Sequence, residues 1–210
     1  LARRLQRGQQ VAAAEGHPLL QPHHTLFTFF HFAADRALLR ALLDRRVTCV
    51  AYETVEDAQG LLLGIVYAPE LDELFTARRG QGAQCNGKRT LRVSTETELS
   101  RALLASGFAY REGELSNSNL ENWSRLSLKS RGLRRCGAAA LDLAYVADGR
   151  YDGFWELYLS PWDVAAGALL VREAGGRVTD GRGGDAWLTG QSIVASNGLL
   201  HEEIRGQLII

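Results

Sequence analysis

Three short stretches of this 210-residue chain combine residue types that could do chemistry. The most concentrated is Pro161-Trp162-Asp163 followed by Val164-Ala165-Ala166-Gly167. Its small residues let backbones approach closely, and Asp163 stands at or near a predicted helix start, where the helix dipole favours a carboxylate that a divalent metal can also use. A plain N-cap role fits the same spacing, and both readings stay open. Upstream, Glu156 ends a predicted strand in the order Asp152-Gly153-Phe154-Trp155-Glu156. A carboxylate flanked by aromatic side chains can accept hydrogen bonds from sugar-like hydroxyls; a solvated strand-edge residue is the plainer alternative. Third, Cys136-Gly137-Ala138-Ala139-Ala140 joins a predicted strand to a predicted helix, so its backbone N–H groups offer an end suited to an anion such as phosphate. Ligand-free junctions often share that composition.

Other familiar chemistries find no footing. The glycines around Gly175-Gly176 and Asp180-Gly181 form a turn-rich stretch without GxxxxGK[ST], and no GxGxxG follows a strand. His17, His23, His24 and His31 lack a carboxylate at a ligand spacing, and there is no GxSxG elbow for a serine hydrolase.

The elements that must position these residues alternate between strand and helix. Strands are predicted at Val47–Tyr52 and Leu61–Tyr67, as neighbours across a turn from Glu53 to Gly60, then at Leu74–Ala77 with a hairpin at Gly80, Gly82, Asn86 and Gly87. Further strands are predicted at Leu103–Phe108, Arg131–Gly137, Tyr151–Leu157 and Ser192–Ser196. Helices are predicted at Ala34–Leu43, Asn119–Leu128, Ala138–Ala147, Asp163–Ala174 and Leu199–Leu208, with a loose helical pattern over 1–16. The interleaving indicates a layered α/β or α+β protein.

Composition narrows the class. With 46% hydrophobic residues the chain can bury a sizeable core, and 24 basic residues balance 24 acidic ones, so no global field draws in nucleic acid or anionic lipid. Cys49, Cys85 and Cys136 form no CxxC pair and suit a reducing compartment. No apolar run is long enough to span a bilayer and no leader is visible, so the expectation is a cytoplasmic protein without nucleic-acid or membrane partners. The chain starts at Leu1 and contains no methionine, which reads as a fragment lacking its N-terminus.

Taken in order, several motifs resemble the inositol monophosphatase family: Gly64-Ile65-Val66-Tyr67-Ala68-Pro69 with Glu73-Leu74-Phe75-Thr76-Ala77, Gly80-Gln81-Gly82-Ala83 with Cys85-Asn86-Gly87, Gly137-Ala138-Ala139-Ala140, and Trp162-Asp163-Val164-Ala165-Ala166-Gly167 leading to Glu173-Ala174-Gly175-Gly176. The resemblance implies an α/β/α/β/α sandwich over a single domain at 1–210, incomplete at its N-terminus, with 60–210 family-like and 1–59 divergent. It further implies Mg²⁺-dependent hydrolysis of a small polyol or sugar phosphomonoester, inositol 1-phosphate by default, in a homodimer. By resemblance Asp163 is the catalytic, metal-ligating aspartate, Glu156 holds a substrate hydroxyl, and Gly137, Ala138 and Ala139 face the substrate. The metal ions would bind phosphate oxygens and activate a water for in-line attack.

One motif departs from the family. Its Asp-Pro-x-Asp-Gly-Thr stretch, which supplies two metal-binding aspartates, falls by ungapped counting on a segment with Ala34 and Ala37 at those positions. Asp35 is one place off and lacks the Gly-Thr, and Glu15-Gly16 matches the family's upstream Gly-Glu-Glu run only in part. The alternative is therefore an inactive homologue or fragment that binds a phosphorylated polyol or acts only as a protein-interaction subunit.

Overall fold

The computed structural model describes residues 25–28, 48–51, 55–57, 60–109, 117–189 and 191–210. The helical patterns predicted at 1–16 and 34–43, together with Glu15, Gly16, Ala34, Asp35 and Ala37, lie outside the described residues. The chain divides into two units, residues 1–53 and 54–210. In the first, β1 (Thr25–Thr28) pairs in parallel with β2 (Thr48–Ala51).

The second unit holds two five-stranded sheets. The antiparallel sheet runs β3 (Val55–Asp57), β4 (Gly60–Ala68), β5 (Glu73–Arg78), β6 (Ala83–Cys85) and β7 (Arg89–Thr90) in chain order. The β6–β7 hairpin turns at Asn86 and Gly87, both at positive φ, as an Asn-Gly pair favours. Contrary to the sequence reading, part of the predicted Glu53–Gly60 turn is a strand, and the sheet neighbours of β4 are β3 and β5. Three residues are too few to show a period of two, which is why β3 was illegible.

The mixed sheet contains β8 (Leu103–Ser106), β9 (Gly132–Arg134), β10 (Gly153–Leu157), β11 (Arg177–Thr179) and β12 (Ser192–Ser196), ordered β11-β12-β10-β8-β9. β10 is central, antiparallel to β12 and parallel to β8. Its side chains alternate between two apolar layers: Phe154 enters the larger core cluster and Trp155 the smaller one. Both β8 and β9 are shorter than predicted, the first because the chain leaves the sheet at Gly107, and β11 was not foreseen.

Helices α2 (Ala139–Ala147) and α3 (Pro161–Glu173) share the larger cluster with residues of both sheets and so form the layer between them. On the opposite side of the mixed sheet, Leu126 of α1 (Leu120–Ser127) and Ile204 of α4 (His201–Arg205) pack with Trp155 and Val194. The described layers are thus β/α/β/α, four of the five expected. Among the described residues no helix is long and apolar enough to cross a membrane.

The small residues of α3 explain its central place. A Cβ on Gly167 would sit 2.5 Å from Leu143 Cβ of α2, and one on Gly64 of β4 would sit 2.7 Å from the Ala166 carbonyl oxygen. Glycine at these two positions lets the helix lie close to α2 on one side and to the antiparallel sheet on another. Pro161 at the first turn and Gly175, at positive φ just past the last, bound the helix as such residues commonly do.

Candidate functional site

The three sequence-derived stretches occupy the β10–α2–α3 region of the unit. Glu156 shares the face of β10 with Phe154, the face covered by α2 and α3. It is 8% exposed, which rules out the solvated-edge alternative. The reason lies far away in the chain, since β8 and β12 flank β10 and turn a sequence-terminal strand position into an interior one.

Asp163 sits in the first turn of α3, three residues after the N-cap Ser160. Its Oδ2 accepts a 2.9 Å hydrogen bond from the Ser160 backbone N–H, so Asp163 is the N3 partner of a capping box and not the N-cap that the sequence left open. Gly137 adopts a positive φ immediately before the N-cap of α2, Ala138, and no side chain caps that helix start. Gly137 and Ala138 are exposed while Ala139 is half-buried, so backbone N–H groups at this end are open to a ligand.

A fourth residue belongs with these and was missed. Asp142, on the first turn of α2, is 1% exposed, and its Oδ1 has no hydrogen-bond partner among the described residues. Burial pushes its carboxyl up to about 6, against a smaller lowering by the Cys136 thiol that donates to it. The available signal was a lone carboxylate in the otherwise apolar run Ala139–Ala147.

Glu156 responds to the same surroundings. Burial first, then the negative charges of Asp142 and Asp163, push its carboxyl up to about 7, and Arg135 opposes them. Arg135 itself lies over the Phe108 ring, 4.7 Å from the centroid. Two other acidic groups therefore bear on Glu156 across the β10–α2–α3 layer, and at neutral pH it is divided between a hydrogen-bond donor and an acceptor.

Magnesium prefers a near-octahedral shell of oxygens, commonly one or two carboxylates completed by water and substrate phosphate. Among the described residues no group of three or more His, Cys, Asp or Glu side chains could hold a metal ion. The described residues alone therefore do not fit a family-type site for several ions.

The layers are those of a mixed α/β sandwich. The inositol monophosphatase family model matches residues 48–208, and the chain belongs to that family. A model of the alanine dehydrogenase/PNT N-terminal domain also matches residues 9–65. Among solved structures, inositol monophosphatase from Anabaena (Nostoc) sp. PCC 7120 matches with a TM-score of 0.68 and 43% identity, covering 70% of this chain and 58% of that one. Mycobacterium tuberculosis SuhB matches with a TM-score of 0.65 and 33% identity, covering 74% and 61%. The putative Nus factor SuhB of Neisseria meningitidis serogroup B is 42% identical over 186 residues, 89% of this chain and 66% of the relative. The Nus factor SuhB of Escherichia coli (strain K12) is 50% identical over 135 residues, 64% of this chain and 50% of the relative. The chain thus spans between half and two thirds of these curated relatives.

Proposed function

We propose that this chain binds a small phosphorylated polyol or sugar without hydrolysing it, with inositol 1-phosphate as the reference ligand. The observation that carries the reading is Glu156, a buried carboxylate for which the described residues supply no hydrogen bond, so that a ligand hydroxyl can satisfy it. In this reading Gly137, Ala138 and Ala139 face the same ligand from the α2 start. Alanines at 34 and 37, where the family places aspartates, support binding over turnover. So does the name Nus factor carried by several relatives, which also suits a protein-interaction subunit.

Asp163 at the start of α3 favours a second reading, Mg²⁺-dependent phosphomonoester hydrolysis, in which it acts as metal ligand. That chemistry needs further carboxylates from outside the described residues. A homodimer, a cytoplasmic setting and a single domain with 1–59 divergent belong to the same proposal.

Calorimetric binding of inositol 1-phosphate, run beside phosphate release across a Mg²⁺ titration, tests the proposal. The expected result is saturable binding, weakened about tenfold in Glu156→Gln, with no release above an Asp163→Asn control. Mg²⁺-dependent release lost in Asp163→Asn would establish the hydrolase instead. Absence of binding by the folded chain would leave the protein-interaction role.

A further inference from the structure

We propose that Gly107 is a positioning residue whose missing side chain gives the Glu156 carboxylate its place, so that the size of residue 107 sets how well a polyol hydroxyl is received. The second half of this inference rests on the reading of Glu156 as the hydroxyl contact; the first half does not.

Gly107 follows β8 directly and does not adopt a positive φ, so its backbone conformation is open to any L-residue. The reason for glycine is space. A Cβ built there would lie 2.4 Å from Glu156 Oε1, 2.5 Å from Oε2 and 2.6 Å from Cδ, well inside van der Waals contact. Any larger residue must displace either its own backbone or the carboxylate.

The backbone is the less yielding of the two. Its carbonyl accepts a 2.7 Å hydrogen bond from Asn119 Nδ2, which also donates to Ser106 Oγ at 3.0 Å. Asn119 Oδ1 in turn accepts from Trp155 Nε1 at 2.9 Å, and Ser106 Oγ donates to the Trp155 carbonyl at 2.6 Å. All four bonds are buried, so the segment at 106–107 is tied to the residue next to Glu156. Phe108 continues the anchoring, with its ring 5.5 Å from that of Trp123 and beneath the Arg135 guanidinium.

The carboxylate, by contrast, is the far end of a flexible side chain, and no hydrogen bond from a described residue holds it. A methyl group at 107 is therefore absorbed by rotation of Glu156. The fold survives, and the acceptor leaves its position.

The test combines two measurements on the full chain. In protein carrying ¹³C-carboxyl glutamate, the Glu156 resonance is assigned by its loss in Glu156→Gln. In Gly107→Ala that resonance is expected to shift while the other glutamate signals stay, and the thermal midpoint to move by only a few degrees. Inositol 1-phosphate affinity, measured by calorimetry, is expected to fall about tenfold in Gly107→Ala, but to change less than about twofold when the same substitution is made in a Glu156→Ala background.

An unmoved Glu156 resonance would overturn the proposal, as would unfolding of Gly107→Ala, because the backbone would then be what gives way. Equal losses of affinity in both backgrounds would also overturn it, since Gly107 would be acting independently of Glu156. If the resonance moves while neither Gly107→Ala nor Glu156→Gln alters affinity, the positioning stands and the reading of Glu156 as the polyol contact falls.

Discussion

Behind the mixed sheet, on the side of α1 and α4, a set of buried polar side chains satisfy one another. Asn119 joins Trp155, Ser106 and Gly107, and Asn122 joins Asn119 and both backbone groups of Ile209. His201 bridges Thr179 Oγ1 and Ser196 Oγ, each at 2.9 Å. In front of the sheet, toward α2 and α3, two buried carboxylates have few partners among the described residues: Asp142, whose Oδ1 has none there, and Glu156, whose ionisation the Asp142 charge opposes. One protein thus buries polarity in two ways. Where the hydrogen bonds close, the polar groups specify structure; where they stay open, the fold bears a cost that a ligand can relieve.

The largest expected effect tests the satisfied side. Asn119→Ala would strand Trp155 Nε1–H and the Gly107 carbonyl in a buried setting, at about 3 to 4 kcal/mol of stability for two unsatisfied groups. Urea unfolding measures it, and a loss under about 1 kcal/mol would erase the contrast between the two sides.

His201 gives the next effect, with a direction in pH. Thr179 Oγ1 already donates to the Asp180 carbonyl, so it accepts from His201 Nε2–H, which leaves Nδ1 to accept from Ser196. The neutral ring is therefore the matched form. Burial, then the charge of Arg177, hold its pKa down at about 4 against an ordinary 6.5. A depressed histidine contributes stability that is whole above pH 6.5 and is lost as pH falls through 4, about 3 kcal/mol in all. Unfolding free energies relative to the non-titrating His201→Gln should show that slope between pH 6.5 and 4. A difference independent of pH would mean that His201 is not held neutral.

Much of this architecture was legible because it is written locally. Pro161 and Gly175 bracket α3, Asn86-Gly87 marks a hairpin, and the Phe154-Trp155 alternation marks a two-sided strand. The site was legible only in part. Asp163 and Glu156 stood out by their neighbours, but the burial of Glu156 comes from β8 and β12, which no local pattern could place beside it. Asp142 hid in an apolar helix, and Gly107 looked like the continuation of a strand. β11 and β3, three residues each, were too short to carry a period.

The smallest expected effect of the three has the opposite sign and probes the open side. Asp142→Asn keeps the volume and removes the charge. Because burial raises this carboxyl from 3.8 to about 6, the ionised group costs stability fully above pH 6, and the cost fades as pH falls toward 3.8. The substitution should therefore stabilise the chain by about 2 kcal/mol at pH 8, somewhat less than the full shift implies because a buried amide brings donors of its own, and by almost nothing near pH 4. It should also lower the Glu156 pKa, since one of the two negative charges opposing its ionisation is gone. A loss of stability at pH 8 would mean that Asp142 has a partner worth more than its burial costs, and the front of the sheet would then follow the same closed hydrogen-bonding rule as the back.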